Sequence, residues 1–383
     1  MNLNIEKLQS PCFIINKLIL DENINNILVN CNKIKNHVII GYSLKTNSNP
    51  FLIQYLYKKG LYIEVVSADE YKFALSLGIK KQRIIYNGVI KNKKTFLTAI
   101  KNKSIVNIDS YIEFEWLLKN NIKNKKIGLR INLPIDNELS NYFEFPETGS
   151  RFGFYYYDNK LQLYIKKLKE KNIFVNGIHI HCNTFDRNPI VYKKIIDYVA
   201  KLVNENNINI EYLDIGGGYM GGKECNFNKY SDVIDNTIKK YKCFNNIKII
   251  IEPGAAIVAT SITYFCRVID RKEIGNTAFI TIDGSIVHIN PTFSRKKYKY
   301  SSDCNTICES KDIIICGFTC MERDRIIFDK KLDLHIGNYL MFENMGAYVM
   351  PFVSNFICNY PSIYLYDENN VKLLNKNERR CIK

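Results

Sequence analysis

Continuously apolar runs alternate with helical patterns through the first two thirds of the chain. The runs are short and rich in Ile and Val, which is typical of strands buried on both faces. The segments between them, such as PFLIQYLYKKG and PIVYKKIIDYVAKLVNE, place apolar residues at helical spacing. The strand candidates are HVIIGYSLK at 37–45, YIEVVS at 62–67, RIIYNG at 83–88, SIVNID at 104–109, KIGLRIN at 126–132, VNGIHIHC at 175–182, EYLDIG at 211–216 and IKIIIE at 247–252.

Eight strands that each precede a helix predict an α/β fold, a (β/α)8 barrel of the TIM type. We place this barrel at residues 33–260. Beyond it, runs such as TAFITIDGSI and DIIICGF follow one another with few helices, which indicates a β domain. We expect residues 1–32, which include the strand candidate SPCFIINKLI, to join residues 261–383 in that domain. A loop at 133–152 is long enough to be functional or disordered.

The net charge of this chain of 383 residues is +16, but its basic residues do not predict nucleic-acid binding. The lysines are dispersed, and no arginine-rich block with interleaved aromatic residues occurs. A basic surface instead favours an anionic substrate or an acidic protein partner. No apolar run approaches the roughly 18 residues of a membrane span, and MNLNIEKLQSPC has no apolar core of a signal peptide. We therefore expect a cytoplasmic protein that does not bind membranes.

Twelve cysteines in a cytoplasmic protein are expected to be reduced thiols. The densest group is Cys304, Cys308, Cys316 and Cys320. Its C-x3-C spacings differ from the C-x2-C pairs common in structural zinc sites. Cys316 also lies in DIIICG, which has the pattern of a buried strand. The sequence therefore predicts no metal site.

Residues with catalytic chemistry follow the predicted strands at their C-terminal ends, where the active sites of such barrels lie. The first strand ends at Lys45, an amine that can bind an aldehyde covalently. The seventh ends in three glycines, whose backbone N–H groups suit a phosphate. The eighth ends at Glu252, a carboxylate that can keep a ring nitrogen protonated, and the fifth and sixth bring Arg130, His179 and His181. This set predicts pyridoxal 5'-phosphate as the cofactor.

A series of motifs runs in order along most of the chain. They are YSLKTN at 42–47, EVVSADE at 64–70, IDS at 108–110, SRFGF at 150–154, HIHCNT at 179–184, LDIGGGY at 213–219, EPG at 252–254, CGFTCMERD at 316–324 and FENMGAY at 342–348. In this order the motifs resemble those of the fold-type III pyridoxal-phosphate enzymes. The similar group is the alanine-racemase-fold decarboxylases, which include diaminopimelate, ornithine and arginine decarboxylases. The resemblance implies an amino acid decarboxylase whose β domain completes a dimeric active site.

The resemblance also implies a role for each matching residue. Lys45 would carry the cofactor covalently, Glu252 would pair with its pyridine nitrogen, and His181 would stack on its ring. Cys320 of the partner subunit would donate a proton to Cα after carbon dioxide leaves, so the active enzyme would be a homodimer. The cofactor and its phosphate would also be held by Thr184, Gly216, Gly217, Gly218, Gly254 and Tyr348. Arg151 and Asp324 match a pair that bridges subunits, and Arg130 lies at the substrate side.

Two departures from the family pattern bear on the substrate. The arginine that usually follows EPG and contacts the phosphate is Ala255 here. The residue after the catalytic cysteine usually pairs with the far end of the substrate, but Met321 cannot pair with an ammonium group. Asp283 remains as a polar contact. Met321 and the basic surface lead us to expect an amino acid on a carrier protein or nucleotide conjugate, in antibiotic or siderophore biosynthesis.

Three alternatives remain open from the sequence. The first is a decarboxylase of free diaminopimelate, ornithine or lysine in primary metabolism. The second is a racemase of the same fold, which SLKTNSNP after the first strand and the strand-eight glutamate do not favour. The third is an inactive homologue that binds a partner, for which the missing phosphate arginine is the support.

Overall fold

The computed structural model describes residues 5–89, 91–120, 122, 125–182, 187–222, 226–304, 312–329 and 332–376. The chain forms two units, one spanning Asn25–Ala256 and the other made of the residues on either side of that span. Both boundaries fall inside helices, eight residues before the predicted limit at 33 and four before the one at 260.

Strands alternate with helices in the unit spanning Asn25–Ala256, and strands dominate the other unit. The strands are β1 (Cys12–Asn16), β2 (Val38–Ser43), β3 (Tyr62–Val65), β4 (Ile84–Tyr86), β5 (Ile105–Ile108), β6 (Lys125–Asn132), β7 (Phe154–Tyr155), β8 (Ile173–His179), β9 (Tyr212–Asp214), β10 (Lys248–Ile251), β11 (Ile262–Ile274), β12 (Thr277–Ile282), β13 (Tyr300–Ser302), β14 (Asp312–Cys316), β15 (Arg325–Asp329), β16 (Tyr339–Phe342), β17 (Ser362–Asp367) and β18 (Asn370–Asn375). The helices are α1 (Lys17–Cys31), α2 (Pro50–Lys58), α3 (Ala68–Ser76), α4 (Lys93–Lys101), α5 (Tyr111–Lys119), α6 (Asn159–Glu170), α7 (Ile190–Glu205), α8 (Asn228–Ile238), α9 (Ala255–Val258) and α10 (Ile286–Ile289).

The unit spanning Asn25–Ala256 is a closed barrel. Strands β2, β3, β4, β5, β6, β8, β9 and β10 pair in parallel in this order, and β10 pairs with β2 to close it. The short β7 extends the end of β6. The strands are almost entirely buried, as their continuous apolar sequences predict. The predicted (β/α)8 barrel is confirmed.

Capping side chains determine where several barrel helices begin. Asn49 accepts a hydrogen bond from Phe51 N and precedes Pro50, the first residue of α2. Ser67 accepts from Glu70 N, while Glu70 Oε2 accepts from Val66 N one residue before the cap, so α3 starts with an arrangement close to a capping box. These local signals fix the turn between each strand and its helix, and thereby the side chains at the barrel mouth.

The other unit contains a nine-stranded mixed sheet. Its main order is β15-β14-β12-β11-β1-β17-β18, with β16 paired to β11 and β13. β1 lies between β11, to which it is antiparallel, and β17, to which it is parallel. The predicted β domain that includes an N-terminal strand is therefore confirmed. In the described residues, no helix is both long and apolar enough to cross a membrane.

Two details of the predicted elements were wrong. The run SPCFIINKLI is a strand only to Asn16, and α1 begins at Lys17. The reason is that Asn16 Oδ1 accepts a hydrogen bond from Ile19 N at 3.2 Å and so caps the helix. The chain also contains β13, β15, β18 and α8, which the sequence patterns did not predict.

Candidate active site

Lys45 lies in a single 3-10 turn, Leu44–Thr46, directly after β2. Its two neighbours in the turn are buried, whereas the Lys45 side chain is 39% exposed. Its Nζ lies 3.2 Å from Glu64 Oε2 of β3, and the Glu64 carboxylate is buried. The turn therefore presents the amine at the mouth and holds it against an acid that can exchange a proton with it.

A layer of polar side chains crosses the barrel interior at the C-terminal ends of its strands. Each strand of the closed barrel supplies a member at or beside its end, and all members are buried. Buried polar groups cost free energy unless they are paired, so such a layer indicates a site rather than simple packing. In strand order, the members of this polar layer are Ser43, Glu64, Asn87, Asn107, Arg130, His179, Asp214 and Glu252.

Amide side chains connect the acids of the polar layer. Asn87 Nδ2 donates to Glu252 Oε1 at 2.5 Å and lies 3.3 Å from Glu64 Oε1. Asn107 Nδ2 donates to Asn87 Oδ1 at 2.8 Å and to Asp214 Oδ2 at 3.3 Å. The amides order three carboxylates without neutralising their charge.

Electrostatics at the end of β10 favour a protonated or cationic partner for Glu252. Burial raises the pKa of Glu252 well above its usual value, and the charges of Asp214 and Glu64 raise it further. Burial also raises the pKa of Asp214 to about 7. His179 Nε2 lies 3.7 Å from Glu252 Oε2, but burial lowers the pKa of His179 well below its usual value, so this imidazole is neutral. A protonated ring nitrogen would supply the missing positive charge.

The three predicted glycines form a turn after β9 that packs against His181. Gly217 N–H donates to His181 Nδ1 at 3.1 Å, and Gly216 N–H donates to Asp214 Oδ1 at 3.0 Å. Gly216 has a φ of 68°, and a Cβ there would lie 2.8 Å from His181 Cβ, so glycine is required. Of the three N–H groups, that of Gly218 has no partner in the described part of the chain.

Gly254 allows a close approach between two strand ends. A Cβ at this position would lie 2.0 Å from Thr46 Oγ1, in the turn that carries Lys45. Glu252 N–H donates to Gly216 O at 2.8 Å, which joins the EPG segment to the glycine turn as well. The lysine, the carboxylate and the glycine turn are therefore held in one rigid arrangement.

A cavity of about 710 Å³ opens beside Lys45. Its volume is within the range of small-molecule sites. Residues 143–145 and 148–152 of the long loop form part of its wall, together with Arg130 and His181. Burial and the charges of Lys45 and Arg130 lower the pKa of His181 to about 3, so the ring facing the cavity is neutral. The long loop predicted from the sequence thus lines the candidate site.

Two arginines flank one aromatic ring in this cavity. The guanidinium of Arg130 lies 4.7 Å from the centre of the Phe152 ring, and that of Arg151 lies 4.1 Å from it. Arg130 Nη1 also donates to Asp109 Oδ2 at 2.8 Å, and Asp109 Oδ1 accepts from Gly153 N at 3.0 Å. The cavity wall therefore carries positive charge. The carboxylate of Asp109 attaches the long loop to the barrel.

A fully buried ion pair holds the backbone at Asp109 in place. Lys91 Nζ lies 3.1 Å from Glu113 Oε1, and both side chains are essentially inaccessible. Glu113 Oε2 accepts from Asp109 N at 2.8 Å, and Lys91 Nζ donates to Gly88 O at 2.8 Å. The pair therefore positions the backbone of two cavity loops.

Sequence reasoning did not select the residues that connect the site. Asn87, Asn107 and Asp214 were not assigned roles, nor were Lys91 and Glu113. A usable signal was present for three of them, because each is a polar residue that interrupts or ends a strongly apolar strand. Lys91 and Glu113 gave no such signal, since a lysine in a loop and a glutamate in a helix are normally exposed.

The remaining predicted site residues lie in the unit with the mixed sheet. Cys320 is exposed, in a loop that also contains Met321. Tyr348 is 45% exposed and has a φ of 56°. Asp283 Oδ1 accepts from Arg267 N at 2.8 Å, and burial raises the pKa of Asp283. Their roles remain predictions.

Asp324 has partners within its own unit. Its carboxylate is buried and accepts from Ser285 Oγ at 2.8 Å, from Ile286 N at 2.8 Å, and from the hydroxyl and N–H of Thr319. Asp324 N in turn donates to Met321 O at 2.9 Å. These hydrogen bonds give Asp324 the role of stabilising the loop that contains Cys320. Its pairing with Arg151 of another subunit therefore rests on the resemblance alone. Thr184, predicted to bind phosphate, lies outside the described residues.

In the described residues, no cysteine belongs to the group of side chains that could bind a metal ion. The cysteines there carry free thiols, and Cys308 lies outside the described part. The group whose side chains could together ligate an ion is His179, Asp214 and Glu252, with ligand atoms within 4.8 Å of one another. Because this group belongs to the polar layer beside Lys45, we assign it to the same site.

The donor set fits pyridoxal phosphate. The amine of Lys45 at the barrel mouth matches the aldehyde of that cofactor. The buried carboxylate of Glu252, with its raised pKa, matches the ring nitrogen. The glycine turn, with an N–H that has no partner in the described residues, matches the phosphate. Gly216, Gly217 and Gly254 each lie where a side chain would collide with neighbours of the site. Lys45, His181, Glu252 and the glycine turn would hold the cofactor.

Comparison with known proteins gives one family and a consistent set of relatives. Residues 22–259 match the model of the pyridoxal-dependent decarboxylases, pyridoxal binding domain. The chain is 27% identical over 370 residues to the diaminopimelate decarboxylase of Aquifex aeolicus, covering 89% of this chain and 83% of that protein. It is 28% identical over 364 residues to a probable ornithine decarboxylase of Dictyostelium discoideum, covering 85% and 74%.

Solved structures share the fold at lower sequence identity. The diaminopimelate decarboxylase of M. jannaschii has a TM-score of 0.83 at 22% identity, covering 98% of this chain and 91% of that one. The Helicobacter pylori enzyme, complexed with L-lysine, has a TM-score of 0.82 at 22% identity, covering 98% and 95%. The likeness extends over both units of the chain.

Proposed function

The chain belongs to the pyridoxal-dependent decarboxylases, and on that premise we propose that it removes the α-carboxylate of a free diamino acid with a second carboxylate, such as diaminopimelate. Its cofactor is pyridoxal 5'-phosphate. The observation that carries the proposal is the cavity in which Lys45 faces Arg130 and His181, beside the buried Glu252.

The residues around the cavity have different roles in the reaction. The bound cofactor supplies the electron sink that accepts the electron pair left when carbon dioxide departs. Glu252 would pair as a carboxylate with the protonated ring nitrogen, whose positive charge would offset the burial and the neighbouring acids that raise the pKa of Glu252. Glu64 holds the amine in place, with its Oε2 3.2 Å from Lys45 Nζ. His181, whose pKa burial lowers to about 3, would offer the cofactor ring a neutral imidazole that does not repel a protonated nitrogen.

The charge of the cavity supports a substrate with an additional carboxylate. Arg151, whose guanidinium lies over the Phe152 ring in the wall, has no carboxylate partner in the described residues, whereas Arg130 is paired with Asp109. A carboxylate binds a guanidinium through two hydrogen bonds, which fixes orientation as well as position. Diaminopimelate has two carboxylates, whereas ornithine and lysine have one, so we expect diaminopimelate to be preferred among them.

The expected carrier-protein or nucleotide-linked substrate has less support. The relatives named above are diaminopimelate and ornithine decarboxylases by name, so a role in antibiotic or siderophore biosynthesis rests on Met321 and the net charge of +16 alone. An inactive homologue is not favoured either, because Lys45, His181 and Glu252 are present in a connected site.

Covalent attachment of the cofactor is the first experiment. Purified wild-type protein incubated with pyridoxal phosphate should show a visible absorption band that Lys45→Ala does not show. Lys33→Ala, which removes a lysine from the same unit away from the cavity, is the matched control and should keep the band. Wild-type protein without the band would contradict the proposal.

The substrate is tested by released carbon dioxide. Diaminopimelate, lysine, ornithine and arginine are supplied separately to the loaded enzyme, and we expect turnover of diaminopimelate to be highest. Arg151→Met should lower kcat/KM for diaminopimelate more than for lysine, because only the former presents the extra carboxylate. Equal activity on all four, or activity on a conjugate alone, would contradict the assignment.

The homodimer is also a proposal, and it rests on Cys320. If Lys45 and Cys320 of one site come from different chains, Lys45→Ala and Cys320→Ala are each nearly inactive. Mixing the two variants should then restore activity, since a mixed dimer contains one site with both residues intact. A mixture that stays inactive, while gel filtration shows subunit exchange, would mean that each chain completes its own site.

A further inference from the structure

The glycine turn after β9 cannot neutralise a phosphate by itself. The N–H groups of Gly216 and Gly217 are used within the protein, by Asp214 and His181. In the described residues, the N–H groups of Gly218 and Tyr219 are left for an anion. A phosphate monoester carries a charge of about −1.5 to −2 near pH 7, so two neutral donors leave most of that charge uncompensated and a cation is needed nearby.

Two of the three cations that line the cavity are paired with carboxylates, and the third, Arg151, lies over the Phe152 ring of the long loop. Lys45 Nζ lies 3.2 Å from Glu64, and Arg130 Nη1 lies 2.8 Å from Asp109. Arg187 differs from both. Its Nη1 donates to Tyr219 O at 3.3 Å, and it forms no ion pair with a carboxylate in the described part of the chain. Its positive charge therefore lies against the same turn and is not neutralised there.

A tyrosine anchors Arg187 to this turn. Tyr230 OH donates to Arg187 O at 2.8 Å and accepts from Met220 N at 3.1 Å. Arg187 has a φ of 53°, which a non-glycine residue adopts only when its surroundings hold it. Tyr230 is thus the bridge between the Arg187 backbone and the residue that follows Tyr219.

A second tyrosine orders the opposite side of the turn. Tyr192 OH donates to Gly217 O at 2.8 Å, and its ring stacks on Tyr219 with centres 4.8 Å apart. Burial raises the pKa of Tyr192 well above its usual value, and the charge of the nearby Arg187 opposes this shift. Arg187 and the turn therefore form a prearranged unit and not a chance surface contact.

We propose that Arg187 is the cation that binds the phosphate of the cofactor, acting with the N–H groups of Gly218 and Tyr219. This proposal rests on the proposed function, since it requires pyridoxal phosphate at Lys45. Arg187 is a binding residue here, remote from the bond that breaks. Its effect is on cofactor affinity rather than on the chemistry at Cα.

Pyridoxal, which has no phosphate, separates this role from a structural one. The apoprotein is titrated with pyridoxal phosphate and with pyridoxal, following the visible absorption change. For Arg187→Met we expect the Kd of pyridoxal phosphate to rise about 10- to 100-fold, as for loss of a charge-assisted hydrogen bond. The Kd of pyridoxal should change less than about twofold. Arg187→Lys keeps the charge and should lose less affinity than Arg187→Met.

The control is Lys201→Met, which removes one positive charge from an exposed pair on α7 and should change neither Kd. Unchanged pyridoxal phosphate affinity in Arg187→Met, with normal binding by the wild type, would overturn the assignment of Arg187 and leave the proposed function standing. Equal weakening of both ligands would assign Arg187 to the folding of the turn and overturn it as well. Wild-type protein that binds neither ligand would overturn both proposals.

Discussion

At the scale of single residues, Asn87 is the junction of the polar layer. One amide nitrogen serves Glu252 and Glu64, and one amide oxygen accepts from Asn107. The Glu252 carboxyl also shares a proton directly with Asp214, so the amide of Asn87 is the neutral donor that favours its ionised form. Asn87 therefore determines how much negative charge Glu252 offers to a ring nitrogen.

We predict that Asn87→Leu both destabilises the protein and weakens cofactor binding. Leaving buried carboxylates without a donor costs about 1–3 kcal/mol, and the acids respond by taking up protons. Urea unfolding measures the first effect and titration with pyridoxal phosphate the second. Asn36→Leu is the matched control, because Asn36 Nδ2 also makes two buried hydrogen bonds, to Phe244 O and Ile247 O. It should lose stability but keep cofactor affinity; loss of affinity in both variants would contradict the prediction.

The low pKa of His181 predicts a pH dependence of stability. In the folded apoprotein the pKa is about 3, and in the unfolded chain it is near 6.5. The unfolded state therefore binds the proton first, and stability is lost as pH falls from about 6.5 toward 3.

His181→Asn should flatten this loss. The difference in slope of the unfolding free energy cannot exceed about 1.4 kcal/mol per pH unit, and chemical unfolding between pH 4.5 and 7 measures it. His37→Asn, at an exposed histidine that forms no ion pair in the described residues, is the control and should show the wild-type loss. A slope in His181→Asn equal to that of the wild type would refute the argument.

At the scale of elements, the loops around the cavity depend on the buried pair of Lys91 and Glu113. Lys91 precedes α4 and Glu113 lies in α5, so the pair joins two strand-to-helix connections. Burial lowers the pKa of Lys91 and raises that of Glu113, while their mutual attraction opposes both shifts. The pair is stable as long as both members are present.

Removing one member should cost far more than removing both. Lys91→Met leaves an uncompensated buried carboxylate and should lower the unfolding free energy by about 3–5 kcal/mol. Glu113→Gln added to it keeps the hydrogen bond to Asp109 N and removes the stranded charge, so the double variant should recover part of the loss. Urea unfolding of both variants and of Glu113→Gln gives the coupling energy. Additive losses would show that the pair is not coupled.

Elements with strong local signals were predictable and weakly marked ones were not. The eight barrel strands are continuous apolar runs, and each was located from the sequence. Helix α8 begins at Asn228, after Phe227, whose side chain cannot cap a helix, and its start was not predicted. Strand β18 is an edge strand whose side chains are mostly exposed, and its sequence NVKLLN lacks the pattern of a buried strand.

At the scale of the whole molecule, the site residues at the strand ends could be predicted because barrel geometry brings those ends together. Lys45, Arg130, His181 and Glu252 needed only that rule. The partners that give them their charge states could not be predicted. Asn87 reaches Glu252 across the barrel interior, and no local pattern reports such a contact.

The stability of the mixed sheet should depend more on the central strand β1 than on the edge strand β18. Ile14→Pro removes a ladder hydrogen bond from a strand that pairs on both sides, and central strands exclude proline. Leu373→Pro makes the same change in β18, which pairs only with β17 in the described sheet. We expect limited proteolysis to cut the mixed-sheet unit rapidly in the first variant and much less in the second. Equal resistance of the two variants would contradict this.

The position of β1 also affects how the protein is made. β1 leaves the ribosome before every other strand of its sheet, yet its partners β11 and β17 begin at Ile262 and Ser362. At about 5–20 residues per second, the wait for β11 alone is roughly 12–50 s. The barrel strands are all synthesised during that interval. The nascent chain therefore carries an unpaired apolar strand, CFII, through most of its synthesis, and this segment is where a ribosome-associated chaperone would have most to protect.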